Sequence, residues 1–298
     1  MDSYLSPFTA ADGENIAIHD WPLPDVWPDQ AIKGTAILVH SLGGHAFRYA
    51  HVAQRLNEAG FHVRAYDQYG HGESGGSRGG LPSEMRLVDD LADIVDDTRR
   101  AMADDVQHRV ADDTRQHVRA DQKLILLGHS MGAVVVASFV RQQMRPIDGI
   151  VLSSPAFDPG LSGMQKFLLS TLAKFAPDVR IANGLKLDKL SRDPVCVQAY
   201  DGDAFVHRKV SGRMARFIAD EGARCIAAAA QWQTPTLLMY AGSDGIVNPQ
   251  GSRAFAAAAP AQWVQSICFE AMYHEIFNDP ERGQVFDAMH SWLDRLTH

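Results

Sequence analysis

Cysteine, metal-binding spacings and long apolar runs are scarce in this sequence of 298 residues. Its three cysteines, Cys196, Cys225 and Cys268, are widely spaced and odd in number. That pattern favours free thiols in a reducing compartment over a disulfide framework. Neither a Cys-x-x-Cys pair nor a His-x-x-x-His pair occurs, so we expect no bound metal.

The charge balance argues against several classes of partner. The formal net charge is −8 and no basic run stands out, which disfavours nucleic acid. No apolar run approaches the ~20 residues that span a bilayer. The first residues, Met1 to Tyr4, lack the basic and apolar regions of a secretion signal. We therefore expect a soluble, cytoplasmic protein that acts on a small molecule.

The most informative stretch is 124–132, which reads Leu-Ile-Leu-Leu-Gly-His-Ser-Met-Gly and continues into small and apolar residues. This pattern predicts a buried strand, a tight turn and a buried helix. A serine on such a turn has a strained backbone that pushes its hydroxyl clear of the sheet. Gly128 and Gly132 avoid a Cβ clash where strand and helix cross. Ser130 is therefore the predicted nucleophile.

Strands and helices alternate along the rest of the chain. Asp12-Gly13 between two alternating stretches predicts a hairpin. Continuous apolar runs predict further buried strands near 35–40, 61–66, 149–152, 235–242 and 263–269. Helical periodicity recurs at 49–59, 87–106, 253–259 and 285–296. The alternation predicts a mostly parallel central sheet with helices on both faces.

Two segments are longer than ordinary connections between strands and helices. Residues 104–122 are polar and predict a surface insertion without an assigned function. Residues 156–233 lack strand signals and predict a mostly helical cap at the carboxyl edge of the sheet, over Ser130. An apolar stripe in this cap either packs on the domain below or lines an acyl tunnel and touches lipid; it comprises Met164, Phe167, Leu168, Leu172, Phe175 and Ala176.

A serine nucleophile needs a histidine base, and a carboxylate must orient that base. When such a serine stands on a strand-to-helix turn, the acid and the base follow it in the chain. His207 lies in the cap, whereas His290 and His298 lie in or after the last helix, so only His274 follows a strand. Asp244 follows the preceding strand. Ser130, Asp244 and His274 thus satisfy both chain order and strand-end placement.

The loop after the first buried strand carries Gly43 and Gly44, which let the backbone approach a ligand. By position, the N–H groups of Leu42 and Met131 are the predicted donors to an oxyanion. The histidines and the aspartate that precede the nucleophile are predicted to brace loops, because chain order disfavours them as acid or base; these are His40, His45, Asp67 and His71.

These residues together resemble the monoacylglycerol lipase and lysophospholipase group of α/β hydrolases. The resemblance covers most of the chain. Its motifs are His40 to Tyr49, Asp67 to Ser74, Leu127 to Gly132, Leu190 to Pro194, Gly242 to Asp244, and Tyr273 to Glu275.

The resemblance implies an α/β-hydrolase fold with a core of residues 1–155 and 234–298 and a cap of residues 156–233 inserted before the strand that precedes the acid. It implies a Ser-Asp-His triad, no cofactor, and an ester of a single-chain lipid as substrate, with transient membrane contact through the cap. Gly44, Arg48 and His129 are assigned to substrate binding. The group usually has Gly at position 41 and, where glycerol is recognised, Glu at position 44; here these are Ser41 and Gly44. A carboxylesterase for a short-chain or aromatic ester is the alternative.

Overall fold

A computed structural model describes residues 4–10, 12–24, 32–111, 122–160, 171 and 173–297. The described strands are Tyr4–Thr9 (β1), Asn15–Trp21 (β2), Gly34–Val39 (β3), Phe61–Tyr66 (β4), Lys123–His129 (β5), Gly149–Ser153 (β6), Arg180–Ala182 (β7), Lys209–Ser211 (β8), Thr236–Ala241 (β9) and Val264–Phe269 (β10). The α-helices are Ala50–Glu58 (α1), Arg86–Ala111 (α2), Met131–Arg141 (α3), Pro194–Asp201 (α4), Gly212–Ala228 (α5), Pro249–Ala258 (α6) and Gly283–Thr297 (α7).

Eight of these strands form one sheet in the order β1-β2-β4-β3-β5-β6-β9-β10. The predicted hairpin of β1 and β2 is antiparallel and joins the edge of the sheet through β4. Every other pairing in this sheet is parallel. The fold class predicted from the sequence is therefore confirmed.

The central strands are apolar on both faces because helices cover both sides of the sheet. In β3, Ile37 and Val39 face one apolar cluster, and Ala36 and Leu38 face the other. The first cluster is completed by α2, α3, α5 and α6, and the second by α1 and α7. Alternating side chains of one strand thus contribute to two cores.

The segment between β6 and β9 contains two short strands in addition to helices α4 and α5. β7 and β8 form a separate antiparallel pair in which Ile181 lies opposite Val210. Each strand has three residues, too few for a pattern of alternation to be visible in the sequence. In α5, Met214 and Phe217 pack into the apolar cluster that α3 shares. The boundaries 156–233 stay a prediction.

Two sequence predictions fall partly outside the described residues. Of the apolar stripe, the residues Met164, Phe167, Leu168 and Leu172 lie outside them, whereas Phe175 lies within them and is exposed. Of the segment 104–122, the part up to Ala111 continues α2, and 112–121 lies outside the described residues. Among the helices that the structure describes, none is both long and apolar enough to cross a membrane.

Residues 200–211 dock on two loops at the carboxyl edge of the sheet. The N–H of His207 donates to the carbonyl of Gly43 at 3.0 Å, and the N–H of Ser211 donates to that of Gly79 at 2.8 Å. Gly43 has a φ of +78°, and a Cβ there would lie 2.3 Å from the His207 carbonyl oxygen. The inserted segment therefore rests directly on the loop that follows β3.

Three imidazoles, which we call the imidazole cluster, lie at the same junction. The ring centroid of His71 lies 5.1 Å from that of His40 and 4.6 Å from that of His207. Burial lowers the pKa of His40 and of His207 to about 4, and burial and the neighbouring rings lower that of His71 well below its ordinary value. Asp67 partly opposes the shift at His40. The fold thus holds these rings neutral.

The close approach of α3 to β3 yields a first prediction. A Cβ on Gly132 would lie 2.1 Å from the carbonyl oxygen of Val39, which is backbone and cannot give way. We expect Gly132→Ala to lower the free energy of unfolding by about 3 kcal/mol, as overpacking of a rigid contact does. Urea unfolding measures it. Gly283→Ala is the matched control, because nothing lies within 4 Å of its Cβ. Equal stability of both variants would contradict the close approach.

The imidazole cluster predicts a loss of stability in acid. Between pH 6.5, the ordinary pKa of histidine, and pH 4, the histidines of the unfolded chain bind protons, whereas those of the folded cluster stay neutral. The free energy of unfolding should therefore fall as the pH falls through this window. We expect His207→Asn to reduce that fall by about 1–2 kcal/mol, measured by urea unfolding at two pH values. His290→Asn on α7 is the control. An unchanged fall in His207→Asn would contradict the prediction.

Candidate active site

The turn between β5 and α3 holds Ser130 in a strained backbone conformation. Its φ is +56° and its ψ is −117°, a region that L residues rarely adopt. The N–H of Ser130 donates to the carbonyl of Ser153 at 2.9 Å, and its carbonyl accepts the N–H groups of Ala133 and Ala156 at 3.1 and 3.2 Å. Neighbouring elements thus fix the turn that the Gly-x-Ser-x-Gly pattern predicts.

Asp244 and His274 lie on the loops that follow β9 and β10, which are adjacent parallel strands. The Nδ1 atom of His274 lies 2.7 Å from the Oδ2 atom of Asp244. Both side chains are buried, with 3% and 1% of their surfaces exposed. The Oδ1 atom of Asp244 accepts the N–H groups of Ile246 and Val247 at 2.8 and 3.0 Å. Asp244 therefore shapes its own turn with one oxygen and orients His274 with the other.

The electrostatic surroundings of His274 favour its charged form. Burial by itself lowers the pKa of His274, but the carboxylates of Asp244 and Glu275 outweigh that effect. The pKa of His274 is therefore raised above its ordinary 6.5. A raised pKa makes this imidazole a stronger base once it is neutral.

One cavity of about 690 Å³ brings the predicted residues together. Such a volume is in the range of small-molecule sites. Its lining includes Ser130, Asp244, His274, Leu42 and Met131. Apolar side chains supply much of the remaining wall, namely Ala156, Leu190, Val210, Ala215, Ile218, Ile246 and Val247. The cavity is therefore suited to an apolar molecule with one reacting polar group.

The two predicted oxyanion donors lie on different elements. Met131 is the first residue of α3, where backbone N–H groups have no partner within the helix. The positive end of the helix dipole also lies there. Leu42 belongs to the loop after β3, which Gly43 and His207 hold in place. Both residues line the cavity beside Ser130.

The three residues assigned to substrate binding are placed differently from the predicted catalytic residues. Gly44, Arg48 and His129 are not among the described residues that line the cavity. His129 is buried, with its ring 4.8 Å from that of His274 and its Nδ1 atom 2.9 Å from the hydroxyl of Ser153. The assignment of these three residues to substrate binding stays a prediction.

The polar residues that precede Ser130 in the chain hold loops together through hydrogen bonds, as predicted. His40 Nε2 accepts the N–H of Gln68 at 2.9 Å, and its Nδ1 atom lies 2.8 Å from the Ser41 carbonyl oxygen. His45 Nε2 lies 2.8 Å from Asp203 Oδ2, which ties the loop after β3 to the inserted segment.

Asp67 is the centre of a separate network. Its carboxylate accepts the N–H groups of Ala46 and Glu73, both at 2.7 Å. Among the described residues, His19, Asp67 and Glu73 bring possible metal-ligand atoms within 4.8 Å of one another. Because these hydrogen bonds already account for Asp67 as a brace, we assign no ion to this group.

Sequence reasoning missed a clamp between residues 190–192 and the loop 274–279. The clamp consists of Glu275 N–H to Leu190 O at 2.8 Å, Ser191 Oγ to Asn278 O at 2.8 Å, and Arg192 to Asp279 through two bonds of 2.6 and 2.8 Å. The Arg-Asp pair is bidentate, so it fixes orientation as well as distance. The inserted segment thereby helps to position the loop that carries His274.

Comparison with known proteins shows which of them share this architecture. A family model described as Serine aminopeptidase, S33 (Hydrolase_4) matches residues 30–281. The monoacylglycerol lipase of Mycolicibacterium smegmatis is 34% identical over 273 residues, which cover 90% of this chain and 91% of that protein. Phospholipase YtpA of Bacillus subtilis is 28% identical, with 91% and 99% covered.

Two solved structures resemble the fold over nearly all of their length. The monoacylglycerol lipase of Paleococcus ferrophilus has a TM-score of 0.76 at 29% identity, with 99% of this chain and 100% of that chain covered. A soluble variant of the Saccharomyces cerevisiae monoglyceride lipase, in complex with a substrate analog, has a TM-score of 0.83 at 22% identity, with 100% and 97% covered. The second likeness bears on the fold alone.

The family model and the 34% identical relative both span most of the chain. The resemblance predicted from the sequence motifs is therefore confirmed, and the chain belongs to this hydrolase family, within the monoacylglycerol lipase and lysophospholipase group of α/β hydrolases.

Proposed function

We propose that this protein is a serine esterase that cleaves the ester bond of single-chain lipids. Ser130 is the nucleophile, His274 is the general base and acid, and Asp244 orients His274. Leu42 and Met131 supply the N–H groups that stabilise the oxyanion. The observation that carries the proposal is the single cavity lined by Ser130, His274 and Asp244, with the 2.7 Å contact between the last two.

In the first half of the reaction, Ser130 Oγ attacks the ester carbonyl carbon while Nε2 of His274 takes the hydroxyl proton. The carbonyl oxygen becomes an oxyanion between the two N–H groups, each of which is worth about 10²–10³ in rate. Collapse of this intermediate breaks the bond to the alcohol oxygen. His274 returns its proton to that oxygen, the alcohol leaves, and an acyl-serine remains.

In the second half, His274 takes a proton from water, and the resulting oxygen nucleophile attacks the acyl carbon. The bond to Ser130 Oγ breaks, and His274 returns the proton to the serine. The products are a fatty acid and an alcohol. Throughout, Asp244 remains ionised and stabilises the imidazolium that forms twice in each turnover.

The apolar wall of the cavity and the relatives support a lipid ester as the substrate. Two of the relatives are a monoacylglycerol lipase and a phospholipase, and both match over at least 90% of their own length. The alternative, an esterase for a short-chain or aromatic ester, uses the same triad. Residues 183–186, Leu190, Tyr200 and Val210 of the inserted segment contribute to the cavity wall, which supports an enclosed acyl chain. The cytoplasmic location stays a prediction.

The proposed nucleophile yields a direct test. We expect Ser130→Ala to lower kcat/KM on an oleoyl ester by at least about 10⁴-fold, because no other group replaces the attacking oxygen. Hydrolysis of p-nitrophenyl esters from acetyl to oleoyl measures both the loss and the preference for chain length. Ser243→Ala, an exposed serine whose hydroxyl donates to the carbonyl of Glu270, is the matched control.

Retained activity in Ser130→Ala would remove the proposed mechanism. A wild-type preference for acetyl over long-chain esters would instead favour the alternative substrate while leaving the mechanism intact. Labelling of wild type, but not of Ser130→Ala, by a fluorophosphonate probe would locate the reactive hydroxyl independently of the substrate.

The pH profile tests the base. His274 accepts a proton only when it is neutral, so kcat/KM should rise with pH through the pKa of His274. Because Asp244 and Glu275 raise that pKa above 6.5, we expect the midpoint of the acidic limb above pH 6.5. Asp244→Asn should move the midpoint downwards and lower kcat by about 10⁴-fold. A midpoint that is identical in wild type and variant would contradict the assignment of Asp244.

A further inference from the structure

The cavity contains a carboxylate that the proposed mechanism does not use. Glu275 follows the base His274 in the chain and lines the same cavity as Ser130. It is 5% exposed, although it lies on a loop. Carboxylates are almost never this buried unless they are paired or hydrogen-bonded. A buried carboxylate beside the reacting groups therefore needs an explanation.

The partners of Glu275 occupy one side of its carboxylate. Every hydrogen bond that the described residues donate to this side chain ends on Oε2. The donors are Asn278 Nδ2 at 2.8 Å, Arg48 Nη2 at 3.4 Å and Cys196 Sγ at 3.4 Å. The Oε1 atom is left to accept a hydrogen bond from a molecule in the cavity.

Arg48 balances this charge from outside the cavity wall. Its side chain is 11% exposed, and its guanidinium lies 4.5 Å from the centre of the Tyr200 ring. Tyr200 and Glu275 line the cavity, whereas Arg48 is not among the described lining residues. An incoming group therefore meets a carboxylate and a phenol ring at this point, and not a free cation.

The remaining charges of the wall do not reverse this balance. The carboxylate of Asp244 is paired with His274. Apart from His274, Lys186 is the basic side chain among the described lining residues. Lys186 is exposed and belongs to the inserted segment. With Glu275 paired to Arg48 and Lys186 exposed, the buried part of the described wall carries acidic groups and no unpaired cation. Such a wall favours hydroxyl donors and disfavours anions.

The direction of the reaction places the alcohol portion of the substrate near Glu275. On the proposed function, on which this step rests, His274 gives a proton to the departing alcohol oxygen. The alcohol portion must therefore lie beside the loop that carries His274 and Glu275. A second hydroxyl on that portion is then in reach of the open carboxylate oxygen.

We propose that Glu275, held by Arg48, is a specificity-determining residue that selects esters of an uncharged polyol over esters whose alcohol portion carries a phosphate. The relatives include both a monoacylglycerol lipase and a phospholipase, so family membership leaves this choice open. In this chain the carboxylate accepts a hydrogen bond from a hydroxyl of the polyol and repels a phosphate at the same position.

The test compares three oleoyl esters that differ only in the alcohol portion: 1-oleoylglycerol, 1-oleoyl lysophosphatidic acid and methyl oleate. For wild type we expect kcat/KM on the glycerol ester to exceed that on the phosphate ester by about 100-fold, from like-charge repulsion in a desolvated wall. Glu275→Gln should reduce that ratio by at least about tenfold, because it removes the charge and leaves Arg48 uncompensated. The methyl ester reports any change in the base itself, so the ratio isolates the alcohol portion.

Glu270→Gln is the matched control, since it removes the same charge from an exposed residue on the same loop and should leave the ratio unchanged. A wild-type ratio near one would overturn the inference even if Glu275→Gln failed to fold. A ratio that Glu275→Gln leaves unchanged would also overturn it. Hydrolysis of p-nitrophenyl acetate without hydrolysis of any oleoyl ester would overturn the proposed function, and the inference with it.

Discussion

The strained backbone of Ser130 is the constraint on which the rest of the site depends. A φ of +56° in a non-glycine residue persists only where the surroundings over-determine it. Here the surroundings are backbone atoms: the Ser153 carbonyl fixes the Ser130 N–H, and the absence of a Cβ at Gly132 lets α3 approach β3. The first N–H groups of α3 then come to the cavity with the serine. One close approach of strand and helix thus positions the proposed nucleophile Ser130 and the proposed oxyanion donor Met131.

The inserted segment contributes residues to the cavity wall and also holds two loops of the site in place. It fixes the loop after β3 through His207 and Gly43, and it fixes the loop of His274 through Arg192 and Asp279. Both loops carry proposed catalytic groups, Leu42 on the first and His274 on the second. A displacement of the segment as a whole would therefore alter the proposed oxyanion donor Leu42 and the proposed base His274 together. Substrate enclosure and catalytic geometry are physically linked in this architecture.

The sequence predicts those features that depend on local patterns. The apolar run of β5, the glycines of the turn and the order of Ser130, Asp244 and His274 all follow from short-range sterics and from strand ends that meet at one edge. Family and fold class are confirmed, whereas the catalytic roles stay predictions. The pairing of β7 with β8 could not be predicted, because three exposed residues carry no periodicity. Nor could the Arg192–Asp279 clamp, because no local pattern relates residues 87 positions apart.

The carboxylate partner of Arg48 comes from a position outside the sequence motif that contains the arginine. Where the related enzymes recognise glycerol, the sequence resemblance includes a glutamate at position 44, and this chain has Gly44 there. A Cβ at position 44 would lie 3.9 Å from the Arg48 Cδ, so a side chain there would indeed reach the arginine. In this chain the carboxylate beside Arg48 is that of Glu275, 227 positions away. A buried arginine requires a compensating negative charge close to it in space. The residue that supplies this charge can stand anywhere in the sequence. A motif position that lacks its usual acidic residue therefore does not by itself leave the arginine without a carboxylate partner.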